Sequence, residues 1–440
     1  GWRVSEEAFW KVNPDLFSNL KIRASYGSLG NGNVSPYSFL ELLSISTSGR
    51  VLNGLKNKYT SAPAVMPDGL TWETATTTDV GLDFGMLNNR LQFNGDYYIR
   101  KTTDMYTVGE TLPDVFGASS PKGNYADMTT KGWEITLTWR DQFTLAEKPF
   151  NYEIRGTLSD YISTIDRYNN QTGNLDDYYA GKRVGEIWGY VTEGLFKDQA
   201  DIDSHADQTL IQSSSKRITY PGDVKIKDLN GDHVIDYGNN TVDDHGDKTV
   251  IGNALPRYAY SINLSGDWNN FFLSAFFQGV GKQDWYPSSE CIFWGQYNRP
   301  YNNMPTWHQG NYWTEDNTDA YLPRYAGYNA SLKSTPQTRY LQNVAYIRLK
   351  NLQFGYTLPQ PIVSKAKLQN VRVYISAENL WCWSPLYKHT RDLDVTNIYG
   401  SDPDLTDADM SSGLNGNRGS GDGNSYPQMK SVSLGLSVTF

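Results

Sequence analysis

The feature that most constrains this chain is the period-two alternation of apolar and polar residues, repeated in window after window. Such a period puts one side-chain set on each face of a β-strand. The clearest window is 132–140, where Trp133, Ile135, Leu137 and Trp139 share one face and Glu134, Thr136, Thr138 and Arg140 the other. Val80, Leu82, Phe84 and Met86 repeat the pattern, as do Leu91, Phe93, Tyr97 and Ile99. Further windows are Phe150 to Leu158, Tyr258 to Trp268, Val371 to Ile375 and Val432 to Phe440. At 347–356 the phase slips between Leu349 and Leu352, and a β-bulge near Lys350 or Asn351 accounts for the slip. Read together, the windows predict about eleven strands, near 1–8, 20–27, 74–87, 91–106, 128–140, 150–164, 256–268, 270–281, 343–357, 368–379 and 429–440.

The connections between these strands alternate between short and long. The long ones are 28–73, 107–127, 165–255, 282–342 and 380–428, and the short ones are 9–19, 88–90, 141–149, 269 and 358–367. A transmembrane barrel requires this parity, with tight periplasmic turns at one rim and long extracellular loops at the other. Hydrophobic residues make up only 38% of the 440 and no window approaches a membrane-spanning helix, but a barrel strand hides its hydrophobicity in alternation. Aromatics reach 14%, which disordered chains do not. Tyr97, Tyr98, Trp133, Trp139, Trp268, Phe271 and Phe272, near strand ends, fit aromatic girdles at the lipid boundary. The fold class is therefore all-β, an antiparallel transmembrane β-barrel, with an ordinary β core as the alternative.

The net charge of -9 and the lack of a Lys/Arg cluster argue against nucleic acid as a partner. Cys291 and Cys382 form no metal or disulfide framework. The histidines His205, His233, His245, His308 and His389 sit in no catalytic motif, and an enzyme is not expected.

Several segments spread along the chain resemble the SusC-like TonB-dependent outer-membrane transporters of Bacteroidetes-type bacteria. They include LKIRASYGSLGNG at 20–32, TWETATTTDVGLDFGMLNNRLQFNGDYYIRKTTDM at 71–105, TTKGWEITLTW at 129–139 and GYVTEGLF at 189–196. PGDVKIKDLNGDHVID at 221–236, VIGNALPRYAYSINLS at 250–265, YIRLKNLQFGYTLP at 346–359 and VYISAENLW at 373–381 continue the likeness, and the strand closing on Phe440 resembles an outer-membrane assembly signal. The resemblance implies a barrel of about 22 strands. This chain then supplies the C-terminal portion over 1–440, and the N-terminal strands, plug and TonB-contacting segment lie outside it. It also implies an outer-membrane location, active import of glycans or peptides, and a SusD-like surface lipoprotein as lid. A passive porin or adhesin barrel is the competing function, and a soluble aromatic-rich glycan-binding domain is a third.

Two candidate sites follow from residue types. Trp285, Trp294, Tyr297, Trp307, Tyr312, Trp313, Trp381 and Trp383 fall in the predicted loops, where aromatic planes suit sugar stacking, burial under a lid, or loop packing. Asp228, Asn230, Asp232 and Asp236 stand at positions 1, 3, 5 and 9 of an EF-hand-like loop that offers oxygens to Ca²⁺. His233 replaces the Gly of such a loop and Asn239 its closing Glu, so a turn of Asp and Asn side chains bonded to nearby N–H groups is the alternative. The tract GLNGNRGSGDGN at 413–424 reads as a loop tip with no phosphate-binding pattern.

Overall fold

The computed structural model describes residues 1–32, 40, 43–61, 69–109, 113, 115, 120–212, 218–287, 291–297, 303–326, 335–396, 398 and 428–440. Eleven strands form one antiparallel sheet in which every strand lies beside its sequence neighbours. They are β1 (Trp2–Arg3), β2 (Phe17–Asn31), β3 (Glu73–Met86), β4 (Leu91–Val108), β5 (Lys122–Leu145) and β6 (Lys148–Arg167). β7 (Arg257–Trp268), β8 (Phe271–Lys282), β9 (Tyr346–Thr357), β10 (Asn370–Trp383) and β11 (Ser431–Thr439) complete it. β1 pairs only with β2 and β11 only with β10, so the described sheet does not close on itself.

The register turns alternation along each strand into continuous rows across the sheet. One row runs Leu20, Phe84, Phe93, Leu137, Gly156, Ile262, Phe277, Leu349 and Trp381, each paired with the next. The adjoining row runs Lys21, Asp83, Asn94, Thr136, Thr157, Ser261, Gln278, Arg348 and Cys382. One face is thus apolar and the other polar. Leu137, Ile154, Phe354 and Ile375 on the apolar face are each 45% exposed or more, which in water would be a large hydrophobic liability and in lipid is burial. The polar face carries linked charges: Arg23 bonds Asp83 and Asp96, and Arg140 bonds Glu153 at 2.5 Å.

The bulge falls where the phase slip required it. Lys350 has no partner on β8, where Phe276 meets Asn351 and Phe277 meets Leu349. This extra residue keeps Ile347, Leu349, Leu352, Phe354 and Tyr356 on one face. On the other side β10 answers with Asn379, whose φ of 53° is left-handed.

At one rim the connections are minimal. Ala146–Glu147 and Asn269–Asn270 are two-residue turns with positive φ throughout, the backbone that matches strand twist, and Asn adopts it at low cost. The longer connections, 32–72, 109–121, 168–256, 283–345 and 384–430, leave from the other rim. Five expectations need correction. The first strand is only Trp2–Arg3, because a 3₁₀ turn at Val4–Glu6 ends it. β5 and β6 run on to Leu145 and from Lys148, shrinking the expected turn at 141–149 to two residues, and β5 starts at Lys122, shortening the loop expected at 107–127. β10 continues to Trp383, well past 379. Phe272 faces the polar side, with the Arg372 guanidinium 4.1 Å over its ring, and so takes no place in a lipid-facing girdle with Phe271.

Candidate functional site

The main hydrophobic core of the described residues lies in the long loops, and the sheet contributes little to it. Ile226 and Ile235 from 168–256, Trp294 and Tyr340 from 283–345, and Leu386 and Leu393 from 384–430 pack into a single cluster. Short pairings frame it: Glu186–Tyr190 with Lys248–Asn253, Thr192–Leu195 with Val224–Ile226, and Asp284–Trp285 with Gln342–Asn343. A one-turn helix, Gln199–Asp203, starts at Asp198, whose side chain accepts the Asp201 N–H at 2.8 Å. By contrast, the hairpin Ile45–Leu52 with Leu55–Thr60 stands almost wholly exposed.

The candidate aromatics divide into three groups. Trp285, Trp294 and Tyr297 are 0% exposed and present no plane to a solute. Their polar edges are used internally: Trp294 Nε1 donates to Pro287 O at 3.2 Å and the Tyr297 hydroxyl to Pro323 O at 2.5 Å. Trp307, Tyr312 and Trp313 are half-buried against the same core. Trp381 and Trp383 are not loop residues at all. They lie on the apolar face of β10 beside Leu349 and Ile347, where they fit the lipid boundary. Aromatic type in a long loop could not separate core from contact surface, because both use the same residues.

His308 belongs to this core. It is fully buried, with Nδ1 2.9 Å from the Tyr325 hydroxyl and Nε2 3.0 Å from Phe293 O. The geometry assigns the neutral ring with its hydrogen on Nε2, donated to the carbonyl. Burial pulls its pKa down to about 4, against the smaller opposing effect of the Phe293 carbonyl.

What the loops do offer to a solute is charge. A cavity of about 610 Å³ is lined by Glu193, Lys197, Asp201, Lys225, Asp319 and Arg339. Lys225 Nζ sits 2.8 Å from Asp201 and 3.9 Å from Glu193. Arg339 is held by the carbonyls of Tyr321 and Ala320 at 2.9 and 2.6 Å. Asp201 keeps its carboxyl below the usual range: burial opposes this, and the Lys225 ammonium and the Lys197 N–H outweigh it. Charged groups of both signs in fixed places can grip a polar or charged oligomer by hydrogen bonds. No motif in the sequence marked these residues, since they come together only through folding.

The Asp228 loop forms a chain of side-chain turns. Asp228 accepts from the Gly231 and His233 N–H groups at 2.6 and 2.9 Å, Asn230 Oδ1 from Asp232 N, and Asp232 Oδ1 from Val234 N. These bonds, led by that from Gly231, hold the exposed Asp228 carboxyl below its usual range. His233 has φ 67°, the left-handed backbone that a Gly would adopt more cheaply. The fully buried Asp247 receives the N–H groups of Leu229 and Asp236 and ties the loop to the core, where Ile235 is 0% exposed. Asn239, at the closing position, donates its amide to Asp244 instead of offering a carboxylate. Among the described residues no three His, Cys, Asp or Glu side chains are grouped to hold an ion. The tract 413–424 lies outside the described residues.

No protein-family model matches the chain. Over its whole length it is 28% identical to TonB-dependent receptor P3 of Formosa agariphila and 23% identical to TonB-dependent receptor SusC of Bacteroides thetaiotaomicron. It spans 41% and 39% of those two proteins. Among solved structures, the RagAB peptide transporter superposes on 87% of the chain with a TM-score of 0.66 at 19% identity. The RagAB peptide importer in its closed-closed state covers 100% with a TM-score of 0.69 at 18% identity. The chain covers 39% and 42% of those structures' own chains, and the sheet has the fold of a transporter barrel wall.

Proposed function

We propose, from a wall similar throughout its length to TonB-dependent receptors, that this chain works in the outer membrane in the active import of an oligomeric nutrient. The carrying observation is the pairing of unbroken apolar and polar rows with loops fused at one rim. Lipid takes the apolar face and the polar face lines an aqueous path. The fused loops receive the solute on the outer side. No bond in the solute need change, because binding and release suffice for transport.

Energy for the cycle comes through TonB, a separate protein that pulls on a plug inside the barrel. A surface lipoprotein of the SusD type is the partner expected on the loops. Glycan and peptide remain the two substrate classes, with SusC among the curated relatives and a peptide importer among the solved ones. The burial of the loop aromatics and the charged cavity at Lys225 and Arg339 favour a substrate held by charge and hydrogen bonds over one held by ring stacking.

The test is uptake of labelled oligosaccharides and oligopeptides by cells that carry the full-length protein, with TonB intact or removed. Uptake that depends on both the protein and TonB supports active import. Uptake that persists without TonB makes the protein a passive porin.

A further inference from the structure

On the polar face, where β9 and β10 meet the loop body, Arg348 pairs with Cys382. Arg348 is 5% exposed, and its two terminal nitrogens are engaged: one lies 2.6 Å from Asp394 and the other contacts Gln428. Its Nε has no hydrogen-bond partner among the described residues. Asn379 Oδ1, close by, is also buried without a partner, while its amide nitrogen donates to Met429 O at 3.2 Å. A buried donor and a buried acceptor are thus left without the hydrogen bonds that each would make in water. Both border a cavity of about 200 Å³ that is also lined by Cys382, Arg391, Asp394 and Lys430.

The charge balance gives the cavity a sign. Arg348, Arg391 and Lys430 bring three cations against the single carboxylate of Asp394. That carboxylate is already occupied, accepting from Arg348, from Thr396 and from the Gln428 N–H. We propose that this cavity binds the carboxylate of a solute that carries a hydrogen-bond donor beside it, the carboxylate meeting Arg348 Nε, Arg391 and Lys430 and the donor meeting Asn379 Oδ1. A peptide C-terminus supplies such a donor as an amide N–H, and a uronate supplies it as a hydroxyl. The import reading is needed only for the ligand's identity as cargo. The site itself stands on the cavity.

Cys382 offers a direct readout. The residue is part-exposed and lines the cavity, its sulfur accepting from the Tyr387 hydroxyl at 3.6 Å, whereas Cys291 is 1% exposed and serves as the unreactive control. Alkylation forms a C–S bond at the reagent's methylene and breaks the C–I bond, iodide leaving with the electron pair and the thiol proton passing to solvent. Iodoacetate carries the carboxylate and iodoacetamide does not, so the ratio of their rates reports anion capture and is independent of how much thiolate is present. In the detergent-purified full-length protein, the ratio at Cys382 should exceed that of the denatured chain by about tenfold. The double variant Arg391→Ala with Lys430→Ala should bring it back to the denatured value, and Arg391→Lys with Lys430→Arg should keep it. N-acetylglycine, galacturonate or both at millimolar concentration should slow labelling, and the more protective of the two identifies the donor. A ratio within twofold of the denatured chain, or a raised ratio with no protection by either compound, overturns the proposal. None of these measurements requires transport, so failure of the import reading would show separately.

Discussion

Arg324 Nε donates to Asp223 Oδ1 at 2.8 Å, joining two loops that are 101 residues apart in sequence. Asp223 is nearly fully buried, and burial raises its carboxyl pKa, with the Arg324 charge pulling the other way. The ring of Tyr220 lies 4.5 Å from the same guanidinium. Removing the cation therefore leaves a buried carboxylate with little compensation. Arg324→Ala should weaken the local loop structure by on the order of 3 kcal/mol, seen as faster amide exchange over 220–226 with strand exchange unchanged. Unchanged exchange there would mean that the pair adds nothing to holding the loops together.

His308 gives the loop body an acid limit. Its folded pKa of about 4 is below the ordinary 6.5, so the unfolded ring takes up a proton first as pH falls. Stability from this residue is complete above pH 6.5 and is lost between 6.5 and about 4, by up to about 3 kcal/mol. Thermal unfolding of the loops, followed by near-ultraviolet signals of the buried tryptophans, should shift down across that window. His308→Gln should flatten the dependence, even though it lowers stability at neutral pH.

The two faces of the wall make opposite predictions at adjacent positions. Leu137 faces the lipid side and its neighbour Thr136 the polar side. Leu137→Arg should cost about 2–4 kcal/mol near mid-membrane and reduce folded protein in outer-membrane fractions. Thr136→Arg should assemble normally. Equal damage from both would sink the assignment of faces.

Sidedness follows from the same parity. In a Cys382→Ser background, a cysteine at Ser204, exposed in the loop body, should react with a membrane-impermeant maleimide on intact cells. One at Asn269, in a two-residue turn, should react only after the outer membrane is opened. Surface labelling at Asn269 would invert the topology.

For the Asp228 loop, the bonds from Gly231 and His233 predict a fold that stands on its own side-chain turns. Asp228→Ala should raise amide exchange across 228–236, while a chelator leaves the wild type unchanged. Protection that appears only with added calcium would establish the metal reading instead.

The wall was legible in the sequence because its environment imposes a simple period. Lipid on one face and water on the other leave alternation in nearly every strand, and even the slip at Lys350 carried its cause with it. Legibility failed where that contrast ends. The outer part of β5, from Lys122 to Asp127, rises beyond the alternating segment and read as loop. The packing of the loop body was not readable, because Ile235, Trp294 and Leu393 meet through long-range packing that leaves no local period. For the same reason Asp223, Arg324 and the cationic cavity at Arg348 had no signature, and Trp381 was mistaken for a loop residue.

That shared core also bears on how such a protein can diverge. If each loop folded separately, one could be replaced to suit a new nutrient while the others stayed as they were. Here a bulkier residue at Ile226 or Trp294 must be accommodated by Tyr340 or Leu393, on other segments. Across related sequences these positions should therefore change together, and new specificities should be inherited as sets of three loops. Exchanges of a single loop between relatives should give misfolded outer surfaces on otherwise intact walls.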